Sequence, residues 1–223
     1  MGHRSGVTGD RVVLFFHGGA YHIGLALAVL VALRDACEPL PAAAVAISPW
    51  TDLEMTGESV RTRAAADLII TPDGMQEAAR GYLAGQDPRH PYASPVRADL
   101  RGLPPVLIHV GDAEVLLDDS TRFAASASAA GVDVTLEVWE DMPHCWHTFA
   151  GLLPEADQVI DPLAAGCKSA SRSADARAVG PAAATQGAPP APPGPQAPPG
   201  PTFRRRDAPS SDVAGPLLLL GRQ

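Results

Sequence analysis

Short uninterrupted apolar runs alternate, over the first two-thirds of the chain, with longer stretches in which apolar residues recur every three or four positions. The runs at residues 11–16, 43–48, 106–110 and 134–139 have the length and apolar content of strands buried on both faces. The helical spacing predicts helices over 25–37, 73–83 and 118–130, the last closed by Gly131. Strand and helix in alternation is the βαβ signal, so the pattern predicts an α/β fold with a reduced, mostly parallel sheet flanked by helices.

The pattern stops near Pro162. Beyond it lie eleven of the 23 prolines and a single aromatic, Phe203, and segments such as 188–195 cannot hold a helix or a central strand. Two regions follow: a domain over 1–161 and a disordered Pro/Ala/Gly-rich tail over 162–223. A formal net charge of −8 argues against a nucleic-acid partner or an anionic membrane surface. The leucine run 217–220 is too short to span a bilayer. Cys37, Cys145 and Cys167 show no C-x-x-C spacing, which suggests neither a disulfide framework nor a zinc site and fits a reducing, cytoplasmic setting. No metal-ligand spacing and no nucleotide fingerprint occurs, so no cofactor is expected.

Chemistry in an open parallel sheet gathers at the carboxyl ends of the strands. After the first run comes His17-Gly18-Gly19-Ala20-Tyr21, where Gly18 and Gly19 let backbone N–H groups approach a ligand oxygen closely. Glu114 follows the third run and His144 the fourth, an acid-then-base order in which a carboxylate can orient an imidazole. Asp112 competes with Glu114 for the acid and His147 with His144 for the base, while Asp118 and Asp119 are expected to cap and charge the following helix. Taken singly, an acid near a helix start is usually a dipole partner or cap, and a loop histidine is usually just solvated. Cys145 is not expected to act as a nucleophile, because adjacent side chains rarely face each other.

Taken in order, these segments resemble the hormone-sensitive-lipase-like carboxylesterases of the α/β-hydrolase superfamily. The motif at 17–21 is similar to that family's His-Gly-Gly-Gly oxyanion turn, with alanine for the third glycine. The resemblance continues through Leu25-Ala26-Leu27, Arg34-Asp35, Ser48-Pro49-Trp50-Thr51-Asp52, residues 111–119 and Met142-Pro143-His144, and fades near Ile160. It implies that Gly18 and Gly19 form an oxyanion hole, that Glu114 is the catalytic acid and that His144 is the base. It also implies a G-x-S-x-G nucleophile elbow, with two further strands, between the oxyanion turn and the first helix. Here Gly24 joins the two directly, as in an internally deleted member.

No serine fits the elbow. Ser59 has Gly57 before it but Arg61 after it, and Ser126 lies inside a predicted helix, so both are expected at the surface. Ser48 ends a strand but is followed by Pro49 and Trp50, which reads as structural. The resemblance therefore implies an ester hydrolase with its oxyanion turn, acid and base retained and its nucleophile missing, impaired in catalysis, and a small ester or carboxylate as its ligand. Two other readings stand beside it: a non-catalytic module holding an anion at the Gly18-Gly19 turn, and a defective gene product carrying an internal deletion and a frameshift near Pro162. A sheet reduced in this way is expected to have exposed edges and a thin core.

Overall fold

The computed structural model describes residues 24–160 and 202–206. The strand expected at 11–16, the turn carrying Gly18 and Gly19, and the tail apart from 202–206 lie outside the described residues.

The first described helix, α1 (Leu25–Asp35), is built from alanine, leucine and valine and buries Leu27, Ala28, Leu30 and Val31. It ends two residues before the predicted limit, and Cys37 just beyond takes a left-handed φ of 54° that a helix cannot continue through. Strand β1 (Ala44–Ile47) follows, then a single turn, α2 (Ser59–Thr62), that the spacing does not predict. Helix α3 (Pro72–Leu83) starts one residue before the predicted limit, because Thr71 caps it by accepting the Gly74 N–H at 3.2 Å and Pro72 occupies the first turn, where its missing N–H is harmless. Strand β2 (Val106–Gly111), helix α4 (Leu117–Ala129) and strand β3 (Val134–Trp139) agree with the predicted elements to within one residue at each end.

The strands form one parallel sheet of order β1-β2-β3-β4. Among the described residues its fourth member is β4 (Thr202–Arg206), a segment placed by composition in the disordered tail. Thr202-Phe203-Arg204-Arg205-Arg206 is a five-residue stretch without proline or glycine, so nothing in it prevents ladder pairing. Its register sets Leu136 opposite Phe203 and Trp139 opposite Arg206. The outer edge of β3, expected to be open, is therefore covered, and Arg206 adds an ion pair to Glu137 at 3.0 Å.

Alternation along the strands divides the sheet. Ala46, Val106, Ile108, Val110, Val134, Leu136 and Val138 join Leu27, Leu30 and Val31 of α1 and Phe123, Ala124 and Ala127 of α4 in one core. His109 and Glu137 occupy the alternate positions of β2 and β3, also buried. At and beyond the strand ends Trp139, Met142, Trp146, Ala156 and Val159 form a smaller cluster, and Trp50, Ile70, Met75, Ala79, Val115 and Leu116 form another. The carboxyl end of the sheet is thereby fixed from two sides.

Candidate active site

Glu114 sits in the turn between β2 and α4, fully buried. Its Oε1 accepts the Gly111 N–H at 2.6 Å and the Ser48 hydroxyl at 2.7 Å, and its Oε2 lies 3.1 Å from His144 Nδ1. Three elements thus meet on one carboxylate: the end of β1, the end of β2 and the loop after β3. Gly111 makes the meeting possible, since a Cβ there would stand 1.9 Å from the Met142 carbonyl oxygen. Gly24 has the same relation to the loop after β1, where a Cβ would lie 1.9 Å from the Trp50 carbonyl oxygen.

Burial pushes the Glu114 carboxyl above its ordinary range, and the contacts with His144, Gly111 and Ser48 oppose that rise. For His144 burial disfavours the charged ring, but the contacts with Cys145 and Glu114 outweigh it and raise the imidazole to about 10. The arrangement can hold a protonated imidazole against the buried Glu114 carboxyl, with Nε2 turned away from that group and 3.2 Å from Cys145 Sγ.

Of the residues expected to form the site, Glu114 and His144 are brought together, whereas Gly18 and Gly19 lie outside the described residues. The competitors fall elsewhere. Asp112 accepts the Asp141 N–H at 2.8 Å and faces Arg205 at 3.5 Å. His147 Nε2 lies 3.1 Å from His109 Nδ1, with Trp146 stacked on His109. Asp118 and Asp119 stand in the first turn of α4, as expected for its dipole, but neither caps it: the cap position is Leu116, without a side-chain bond, and their carboxylates reach across to other segments. Asp118 accepts the Ser59 N–H at 2.9 Å, and Asp119 accepts the Thr51 and Asp52 N–H groups at 2.7 and 2.8 Å.

Ser59 is a correction. It is buried, donating its hydroxyl to the Val115 carbonyl at 2.6 Å and accepting the Asp118 N–H at 3.0 Å, so it ties α2 to the start of α4 rather than facing solvent. Ser126 is exposed, as expected. Ser48 is buried with a φ of 46° and commits its hydroxyl proton to the acid, so its structural reading stands with a sharper content: it positions Glu114.

Cys145 is the second correction. Its φ of 52° swings its side chain back over its neighbour, leaving Sγ 3.2 Å from His144 Nε2, and its N–H is accepted by Ser48 Oγ at 3.2 Å. The expectation from adjacency assumes ordinary backbone geometry. Among the described residues, no three His, Cys, Asp or Glu side chains converge in a way that could hold a metal ion. No described helix is long and apolar enough to cross a membrane.

Residues 24–148 match the model of the α/β-hydrolase fold family. An acetyl-hydrolase of Streptomyces hygroscopicus is 48% identical over 154 residues, covering 69% of this chain and 52% of the relative. An esterase of Acinetobacter venetianus is 34% identical, over 68% of this chain and 50% of its own length. Among solved structures, the esterase EstE5 superposes with a TM-score of 0.65 at 52% identity over 66% of this chain and 50% of its own. A hormone-sensitive lipase from a metagenome library gives 0.63 at 40% identity, over 67% and 50%. The chain spans about half the length of the curated relatives it matches. With this sheet and these matches, the chain belongs to the α/β-hydrolase fold, in its hormone-sensitive-lipase-like carboxylesterase family.

Proposed function

We propose that this chain carries the acid–base half of a carboxylic-ester hydrolase site, Glu114 orienting His144, and that its turnover of esters is impaired for want of a serine nucleophile. The observation that carries the reading is the buried contact between Glu114 Oε2 and His144 Nδ1 at 3.1 Å, which leaves Nε2 free of the acid. Two facts support the impairment. No serine in the sequence has the small residues two before and two after, at the end of a strand, that the elbow turn demands. Ser48, the serine on the acid, gives its proton to Glu114 and is buried. Gly18 and Gly19 remain the proposed oxyanion donors, and a small ester or its carboxylate product the ligand.

Without a serine nucleophile, sustained turnover keeps only the modest acceleration supplied by binding and oxyanion stabilisation, on the order of a thousandfold or more below a complete triad. Purified chain is therefore expected to hydrolyse short-chain p-nitrophenyl esters at close to the buffer rate and to leave a fluorophosphonate probe unreacted at serine. Stoichiometric fluorophosphonate labelling of any serine, accompanied by sustained turnover, would sink the impaired reading.

A further inference from the structure

The loop after β3 carries a nucleophilic side chain that the reading above leaves unused. His144 stands with Nδ1 3.1 Å from Glu114 Oε2 and Nε2 3.2 Å from Cys145 Sγ. Carboxylate, imidazole and thiol therefore follow one another in the order acid, base, nucleophile, with the base oriented by the acid from its far side. Two features hold the thiol in this place. The left-handed φ of Cys145, 52°, folds its side chain over the preceding ring. Its N–H is accepted at 3.2 Å by Ser48 Oγ, the same hydroxyl that donates to Glu114 at 2.7 Å, so one serine fixes both ends of the array. Glu114 and His144 are buried while Cys145 is partly exposed, so an electrophile arriving from solvent meets sulfur first.

We propose that Cys145 is a nucleophilic thiol, activated by His144 and oriented through Glu114, that accepts an acyl group from a small carboxylic ester in a single turnover. In the step, the proton shared between sulfur and His144 Nε2 stays on the ring while sulfur bonds to the ester carbonyl carbon. The carbon–alkoxy bond then breaks, and the leaving alkoxide takes that proton from His144 as the free alcohol. The product is a thioester, no electrons are gained or lost overall, and the imidazole is regenerated. Thioesters hydrolyse slowly in neutral water, so the acyl group accumulates on Cys145.

The proposal rests on the reading of Glu114 and His144 as acid and base. It is tested on the full chain with p-nitrophenyl acetate, following p-nitrophenolate release and mapping acetylated peptides by mass spectrometry. The expected result is a burst approaching one equivalent per chain, with the acetyl group on Cys145. Cys145 should acylate on the order of a hundredfold faster than exposed Cys37 of the same molecule, the scale of general-base assistance. Cys145→Ala should remove the burst and Cys37→Ala should leave it intact, while His144→Gln should bring Cys145 down to the rate of Cys37. Should His144→Gln not fold, the parent chain supplies the same comparison, because the preference for Cys145 must vanish in urea. Equal rates at the two cysteines in the folded chain, or a burst that survives Cys145→Ala, would overturn the proposal. Sustained turnover with a labelled serine overturns the impaired-esterase reading alone, since acylation of Cys145 is scored separately by its own peptide.

Discussion

Ser48 shows how much one side chain can carry at this sheet end. Its hydroxyl gives a proton to Glu114 Oε1 and accepts one from the Cys145 N–H, so truncation leaves a partly buried donor without its acceptor and removes one of the bonds that oppose protonation of the acid. Ser48→Ala is expected to lower stability by about 1–3 kcal/mol, the range for orphaning a buried polar group, with no change in the slope of a urea unfolding curve. A midpoint equal to the parent's would show that water replaces the hydroxyl at no loss. The meeting of Glu114 and His144 is legible in the sequence because both stand just after strand ends, in the order along the chain that brings them to one edge. Ser48 is legible there only as a strand terminator, since its partner lies 66 positions away and no local pattern reports it. The place of Cys145 is hidden for a different reason: the sequence shows adjacency but not the sign of φ, and that sign decides where the thiol points.

The helices follow from periodicity, and their limits move only where a local feature intervenes, the Thr71 cap at the start of α3 and the left-handed Cys37 after α1. The short turns are not legible because tertiary bonds hold them. α2 depends on the Ser59 N–H reaching Asp118, and the 3-10 turn Trp146–Phe149 depends on what His147 meets on β2. That turn has a testable consequence. His147 is held down to about 3 by burial and by His109, and His109 is held down to about 4 by burial and by Arg206, against the opposing pull of Glu137. Both folded-state values lie below the ordinary histidine value, so the unfolded chain binds more protons once the pH falls below about 6.5. The stabilisation is fully present above that pH and is lost progressively towards about 4 and then about 3. Each histidine adds a slope of up to about 1.4 kcal/mol per pH unit. Asp119, raised by burial to about 7, acts in the opposite sense, so parent and variant must be compared pairwise. In His147→Gln the decline of unfolding free energy between roughly pH 6 and 4.5 should be shallower by about one proton's worth. Parallel curves would show that His147 is protonated in the folded state.

At the scale of the molecule, the described sheet gains an edge strand from residues that composition assigns to the tail. Proline-rich sequence on either side of 202–206 makes the whole segment read as unstructured, but pairing needs only a few consecutive residues with free N–H groups and an edge to receive them. β3 is such an edge, and its alternation leaves buried Glu137 pointing towards an unpredicted partner, which Arg206 supplies at 3.0 Å while its guanidinium also lies 5.8 Å from the Trp139 ring centre. Arg205 adds contacts to Asp112 and Glu140 at 3.5 Å, so the basic run meets an acidic border. Geometry and charge therefore agree on one role: β4 shields the edge next to the loop that holds His144. A chain ending at Pro201 would expose β3 along the register from Thr135 to Trp139 and leave the Glu137 carboxylate without its guanidinium. Amide hydrogen exchange across that strand should then accelerate by about ten- to a hundredfold, and light scattering at high protein concentration should rise as bare edges pair with one another. Because β2 and α4 hold β3 from its other edge and from one face, the same deletion should leave exchange in β1 close to that of the full chain. Exchange in β3 unchanged by the deletion would show that the edge needs no cover, and acceleration in every strand alike would mean that β4 supports the whole sheet rather than its border.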